Sequence, residues 1–317
     1  MKILVTGGAG YIGSILVPAL LSERHHVTVL DNLMYGGNSL IPYFIKKNFT
    51  FIKGDIRDYN FTQDLMNRNE ITIHLAAIVG YPACKKNEAL AIAVNEMASI
   101  EMARFSIAAH IPIIFGSTGS NYGSIPNSDK ISTSATCTEE TPLNPISLYG
   151  VTKTNAEKAF LDTGNSVCFR FATAFGASPR MRLDLLINDF VYKAVRNKHL
   201  IVYEKGFKRT FIHITDIVRA FLFTIDRFKY MVGKPYNVGD NSMNYTKEEI
   251  ALKIKEKVDY YLHFAEIGTD EDKRDYEVSY ERIRELGFKA ETTIDEGIDE
   301  LIKISQILEI KNPYSNI

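Results

Sequence analysis

Tyr149 and Lys153, in the run Tyr-Gly-Val-Thr-Lys, stand four residues apart, which on a helix places a phenol and an ammonium on one face. A cation beside a phenol favours the phenolate, so Lys153 would bring Tyr149 towards a working pKa and let it act as a general base. A third partner would be a hydroxyl that hydrogen-bonds the reacting oxygen, and the segment GSTGSNYG offers Ser117, Thr118 and Ser120 after the apolar run 111–115. Each of these features taken alone is ordinary: the Tyr-Lys spacing is common on surface helices, and hydroxyls are common in turns. A second motif far upstream singles them out.

The stretch TGGAGYIG places Gly7, Gly10 and Gly13 between an apolar run and a helical pattern. Glycines there let a backbone approach a pyrophosphate at a helix N-terminus, where unpaired N–H groups and the helix dipole favour anions. The next apolar run ends in Asp31, whose carboxylate suits the adenine ribose hydroxyls of NAD and would repel the extra phosphate of NADP. Asn32 and Leu33 follow with no arginine, so NAD is the expected cofactor. Asp55 and Ile56, after the third apolar run, could flank the adenine or simply begin a turn.

These residues need a scaffold, and the chain supplies one. Apolar, β-branched runs at 2–6, 27–31, 50–53, 71–76, 111–115 and 166–171 alternate with amphipathic stretches such as 11–22 and 95–110. That alternation predicts an α/β fold of the Rossmann type, a doubly wound parallel sheet covered by helices on both faces. Beyond about residue 174 the pattern loosens. A helix is expected over 216–230, and the stretch PYNVGD reads as a strand returning to the sheet. The expected division is an NAD-binding domain of 1–173 and 213–238, with a smaller, discontinuous α+β substrate domain of 174–212 and 239–317. The Ser-, Thr- and Pro-rich segment 126–145 reads as a surface loop before the Tyr149 helix.

The 317 residues and 45% hydrophobic content can build a sizeable core. The 37 basic and 38 acidic residues are mixed, for a net charge of -1 at pH 7, so no basic stripe points to nucleic acid. Cys84, Cys137 and Cys168 lack metal-ligand spacing, as do the seven histidines; no metal site is expected, and a reducing compartment is. His74 and His213 sit in apolar runs and read as structural. No apolar stretch reaches the roughly 18 residues of a membrane helix, and from the start MKILVTGG no signal sequence is expected. A cytoplasmic protein is expected.

The sequence resembles the extended short-chain dehydrogenase family, in particular its NAD-dependent nucleotide-sugar epimerases and dehydratases. The likeness runs through TGGAGYIG, DNL at Asp31, GDIRD at Gly54, HLAA at His74, Asn95, STGSNYG, YGVTK, RFATAFG, RTFIHITD and KRDYEVSYERIRELGF. The resemblance implies a catalytic set of Thr118, Tyr149 and Lys153. It implies that Tyr11, Ile12, Asn32, Leu75, Ala76, Ala77 and Asn95 join the glycine turn, Asp31, Asp55 and Ile56 around the cofactor. For a nucleotide-sugar substrate it implies Val79, Gly80, Tyr81, Thr118, Thr173, Arg182, Asn188, Arg209 and Arg274, the last two arginines holding the diphosphate, for which guanidinium forks are suited. It also implies a homodimer. SPRMRLDLLINDF and DKRDYEVS are similar to bacterial enzymes that oxidise C4 of GDP-heptoses. Two departures matter. Dehydratases of the family need an Asp-Glu pair where this chain has Gly119-Ser120, so dehydration is not expected, and 4-epimerases usually carry Asn at the position of Thr173. The expected reaction is oxidation of the sugar at C4, as an epimerase or as a net dehydrogenase; a non-enzymatic NAD sensor is the rival from another class.

Overall fold

The structure, a computed structural model, describes residues 1–123, 136–266 and 277–308. Seven parallel strands form the main sheet, in the spatial order Lys234–Val238, Ser166–Phe171, Ile113–Gly116, Ile71–His74, Lys2–Thr6, His26–Asp31, Phe49–Lys53. Strands such as Ile71–His74 and Ser166–Phe171 are buried along their whole length, which is why they read as continuous apolar runs. The chain winds outwards from Lys2–Thr6 through His26–Asp31 to Phe49–Lys53, then crosses back to lay Ile71–His74 on the other side of the first strand. This reversal opens a crevice beyond the carboxyl ends of the strands, the place where open α/β sheets bind ligands.

The returning strand PYNVGD is Lys234–Val238, paired in parallel with Ser166–Phe171 at the edge of the sheet, where Pro235 is tolerated for want of a second neighbour. The helix expected over 216–230 runs Ile214–Met231. The helix at the glycine turn starts at Gly13 rather than residue 11, because Gly7 to Ile12 are occupied by the turn itself. The helix expected over 95–110 is regular only from Ala98 to Ala109, and a wide π turn, Ala93–Met97, carries Asn95 into it.

Outside the main sheet, Lys208–His213 pairs with Thr173–Phe175 on one side and Asn244–Thr246 on the other, and Tyr261–Ala265 pairs with His199–Tyr203. The helices Leu186–Tyr192, Lys247–Lys257 and Ile294–Ser305 cover them around Ile187, Phe211, Ile250, Ile254, Ile298 and Leu301. The latter two begin with capping boxes, Thr246 with Glu249 and Thr293 with Glu296, which satisfy the donors that a helix start leaves open. No described helix is long and apolar enough to cross a membrane.

Candidate active site

A cleft of about 470 Å³ lies over the carboxyl ends of the strands. Gly7, Gly10, Tyr11, Ile12 and Gly13 form its floor. The glycines are required by geometry: Gly7 has φ +73°, and a Cβ on it would lie 2.6 Å from the Ala76 nitrogen, while one on Gly13 would lie 2.6 Å from the Gly7 and Gly8 carbonyl oxygens. Gly10 differs. A Cβ there would meet among the described residues only the Gly7 oxygen, at 3.2 Å, so this glycine keeps open the space above the turn.

Asp31 closes one end of the cleft. Its Oδ2 accepts from the Ala9 N–H at 2.9 Å and its Oδ1 from the Leu33 N–H at 2.8 Å, which fixes the carboxylate and leaves each oxygen acceptor capacity for a diol. Burial raises its pKa, against the pull of the Leu33 and Ala9 N–H groups and of Arg180. The glycine cradle and this acceptor set fit a dinucleotide with an unmodified adenosine ribose. Asp55 is held by Arg57, at 2.9 and 2.8 Å, and by the Asn32 amide at 3.1 Å; the Arg57 hydrogen bonds bring its pKa down to about 2. Asn32, Asp55 and Ile56 line the same end, and Leu75, Ala76 and Ala77 the wall after the fourth strand.

At the other end stand Thr118, Tyr149 and Lys153, all on the cleft. The helix Leu148–Asp162 starts there because Ser147 caps it, accepting from the Gly150 N–H at 3.1 Å. Lys153 is 3% exposed, and its ammonium lies 3.9 Å from the centre of the Phe115 ring. Burial brings its pKa down to about 7, with Cys168, Glu157 and Cys84 opposing. Thr118 caps the turn after its strand: Oγ1 accepts from the Ser120 N–H at 3.1 Å and donates to Ser120 Oγ at 3.2 Å. Where a carboxylate pair would serve elimination, the chain presents Gly119 and Ser120, of which Ser120 reaches the cleft.

Val79, Gly80, Tyr81, Thr173 and Arg182 also border the cleft. Arg182 is paired with Asp184 through Nε and Nη2, at 3.1 and 2.6 Å. Three of the expected residues do not reach it. Asn95 sits behind the wall, where its amide accepts from the Ile78 N–H at 2.7 Å and donates to the Ile78 carbonyl at 2.9 Å. Asn188 lies under the Tyr11 hydroxyl, to which it donates at 3.2 Å, and accepts from the Gly176 N–H at 3.0 Å. Arg209 opens instead on a small neighbouring pocket with Gly119, Thr173 and Lys208, which shares Phe171, Ala172 and Thr173 with the cleft. Arg274 lies outside the described residues, as does the first half, 126–135, of the expected loop 126–145. His74 and His213 are buried and held by neighbours, His74 by Thr6 at 2.7 Å and Ser99 at 3.1 Å, His213 by Glu300 at 2.9 Å.

Among the lining residues that the sequence reading does not name are Arg180 and Tyr35. Arg180 stacks its guanidinium 4.9 Å from the centre of the Tyr35 ring, and both border the cleft at the Asp31 end. Burial and the neighbouring Arg182 hold the Arg180 pKa below its ordinary value. The only local signal was the arginine-rich stretch SPRMR.

The sequence profile of the NAD dependent epimerase/dehydratase family matches residues 3–239. Among its relatives, the uncharacterized UDP-glucose epimerase YtcB of Bacillus subtilis is 30% identical over 257 residues, 75% of this chain and 77% of that one. The fold is shared with a UDP-glucose 4-epimerase of Thermotoga maritima solved with UDP-glucose, at TM-score 0.84 and 24% identity over 98% of this chain and 100% of that one. A dTDP-glucose 4,6-dehydratase of Bacillus anthracis, solved in complex with NAD, superimposes at TM-score 0.82 and 25% identity over 98% of this chain and 97% of that one.

Proposed function

The chain belongs to the NAD dependent epimerase/dehydratase family, and from that membership we propose that it is a nucleotide-sugar 4-epimerase. The observation that carries the proposal is the convergence of Thr118, Tyr149 and Lys153 with the glycine turn and Asp31 on one cleft. NAD, when bound, supplies the reversible acceptor for the electron pair of the sugar C4–H bond. Gly7, Gly10 and Gly13 would hold its pyrophosphate and Asp31 its adenosine ribose.

Tyr149 takes the proton of the C4 hydroxyl, and the Lys153 ammonium on the same helix face stabilises the phenolate that does so. Thr118 turns its hydroxyl from Ser120 to the reacting oxygen and steadies the negative charge that gathers there. Arg182, fixed by Asp184, borders the sugar-side wall with Gly80 and Tyr81. The absence of a carboxylate at Gly119 and Ser120 supports epimerisation over dehydration, since neither position offers an acid to protonate a leaving hydroxyl.

The test is incubation of the purified enzyme with UDP-, GDP-, CDP- and dTDP-sugars, following NADH absorbance and the product by NMR. Product without NADH accumulation supports the epimerase. Stoichiometric NADH assigns net oxidation at C4 instead, and NAD binding with no turnover on any sugar assigns a sensor. Tyr149→Phe should keep NAD affinity and lose at least about 100-fold in kcat; near-normal turnover would refute the assignment of the base.

A further inference from the structure

One turn beyond Lys153 on the same helix lies Glu157, 1% exposed and engaged on both oxygens. Oε1 accepts from Arg170 Nε at 2.9 Å and Nη2 at 2.7 Å. Oε2 accepts from Ser117 Oγ at 2.6 Å and Asn121 Nδ2 at 2.8 Å. Ser117 and Asn121 flank Thr118, so one carboxylate ties the loop that carries the hydroxyl to the helix that carries the phenol and the ammonium. Arg170 extends the network, donating to the Tyr122 hydroxyl and the Glu139 carbonyl, both at 3.1 Å, and Tyr122 donates to Asn237 Oδ1 at 2.6 Å.

A buried ion pair is a poor device for stability alone, because desolvation cancels most of its attraction and apolar replacements are often as stable. We propose that Glu157 is a positioning residue for the active site: it binds the Thr118 loop to the Tyr149 helix and sets a negative charge one helical turn from Lys153. The proposal rests on the reading of Tyr149 and Lys153 given above.

Among the described residues around Lys153, Glu157 is the anionic neighbour. From the strand Ser166–Phe171 come Cys168 and Arg170, from the helix Tyr81–Lys86 comes Cys84, from Ile71–His74 comes His74, and Phe115 lies beneath. Burial pushes the Cys84 thiol up to about 11 and the Cys168 thiol well above its ordinary value, so both stay protonated at neutral pH. Burial, and then Lys153 itself, bring His74 down to about 3, so it is neutral. Arg170 is a cation bound to Glu157; burial pulls its pKa down, and the Glu157 carboxylate and Tyr122 more than reverse this. Tyr149 is the remaining titratable neighbour on the helix itself.

The experiment replaces the pair by uncharged groups, Glu157→Gln with Arg170→Met, and titrates Tyr149 in the NAD-saturated protein. Its near-ultraviolet tyrosinate absorbance is isolated by subtracting the curve of the same protein carrying Tyr149→Phe, so no turnover is needed. Without Glu157 the ammonium is lost at lower pH, and the Tyr149 midpoint should rise by about one pH unit, a tenfold change in its ionisation constant. Should that variant not fold, Glu157→Leu with Arg170→Met supplies an apolar pair and is read in the same way. Lys153→Met is the control for the underlying reading, and it should raise the midpoint at least as far. If Lys153→Met leaves Tyr149 unmoved, the Tyr-Lys reading itself fails. If Lys153→Met moves it and a folded Glu157 variant does not, or moves it down, the role of Glu157 is overturned.

Discussion

Gly10→Ala separates the cofactor cradle from the fold. A methyl at Gly10 faces the cleft and meets only the Gly7 carbonyl oxygen among the described residues, at 3.2 Å, a contact that a shift of a few tenths of an ångström relieves. Its φ is not positive, so alanine strains no backbone there, and the lost freedom of the unfolded chain offsets part of the contact cost. The folded protein without NAD should therefore melt within a few degrees of the parent. The methyl occupies the space the pyrophosphate must enter, and overpacking of one methyl costs about 1–3 kcal/mol, or roughly 5- to 150-fold in affinity. Calorimetric titration with NAD measures the affinity, and thermal unfolding of the same sample measures the fold. Gly13→Ala is the contrast: its Cβ would lie 2.6 Å from backbone atoms of Gly7 and Gly8, so stability and NAD binding should fall together. A Gly10→Ala protein that binds NAD as tightly as the parent would refute the cradle.

Asp31→Ala should weaken NAD by about 10- to 100-fold, the loss of a charge-assisted hydrogen bond, and unchanged calorimetric affinity would count against its ribose role. Lys153→Met should abolish most turnover and yet stabilise the protein without NAD near neutral pH. Burial lowers the folded pKa of Lys153 to about 7 from 10.5, so the unfolded chain binds the extra proton between those values. The parent's stability therefore rises with pH across that window and carries the full penalty below it, on the order of a few kcal/mol. Melting curves of parent and variant from neutral to alkaline pH should converge as pH rises; parallel curves would dismiss the buried ammonium. Asn95→Ala leaves the Ile78 N–H without its side-chain partner and the Ile78 carbonyl with the Cys84 thiol alone, and should cost about 1–3 kcal/mol, read by denaturant unfolding, with activity falling as the Val79–Tyr81 wall loosens.

What the chain could declare locally, it did. Apolar runs and glycines report strand, turn and helix within a few residues, because burial on both faces of a parallel strand and backbone clearance at Gly7 and Gly13 are local demands. The Tyr149–Lys153 pair is equally local, since four residues are one helical turn. Element ends were less legible: the turn through Gly10 delays its helix, and the bonds from Asn95 to Ile78 sit in a π turn that no periodicity announces.

Tertiary structure alone decided which side chains share the cleft. Arg209 and Asn188 stand in motifs that read as substrate contacts, but the first lines a neighbouring pocket and hydrogen bonding turns the second beneath Tyr11. Arg180 meets Tyr35, and Glu157 joins Arg170 to Ser117, only after segments remote in sequence have packed. A short motif reports what the backbone beside it requires. The charge and company of a buried side chain depend on everything packed around it.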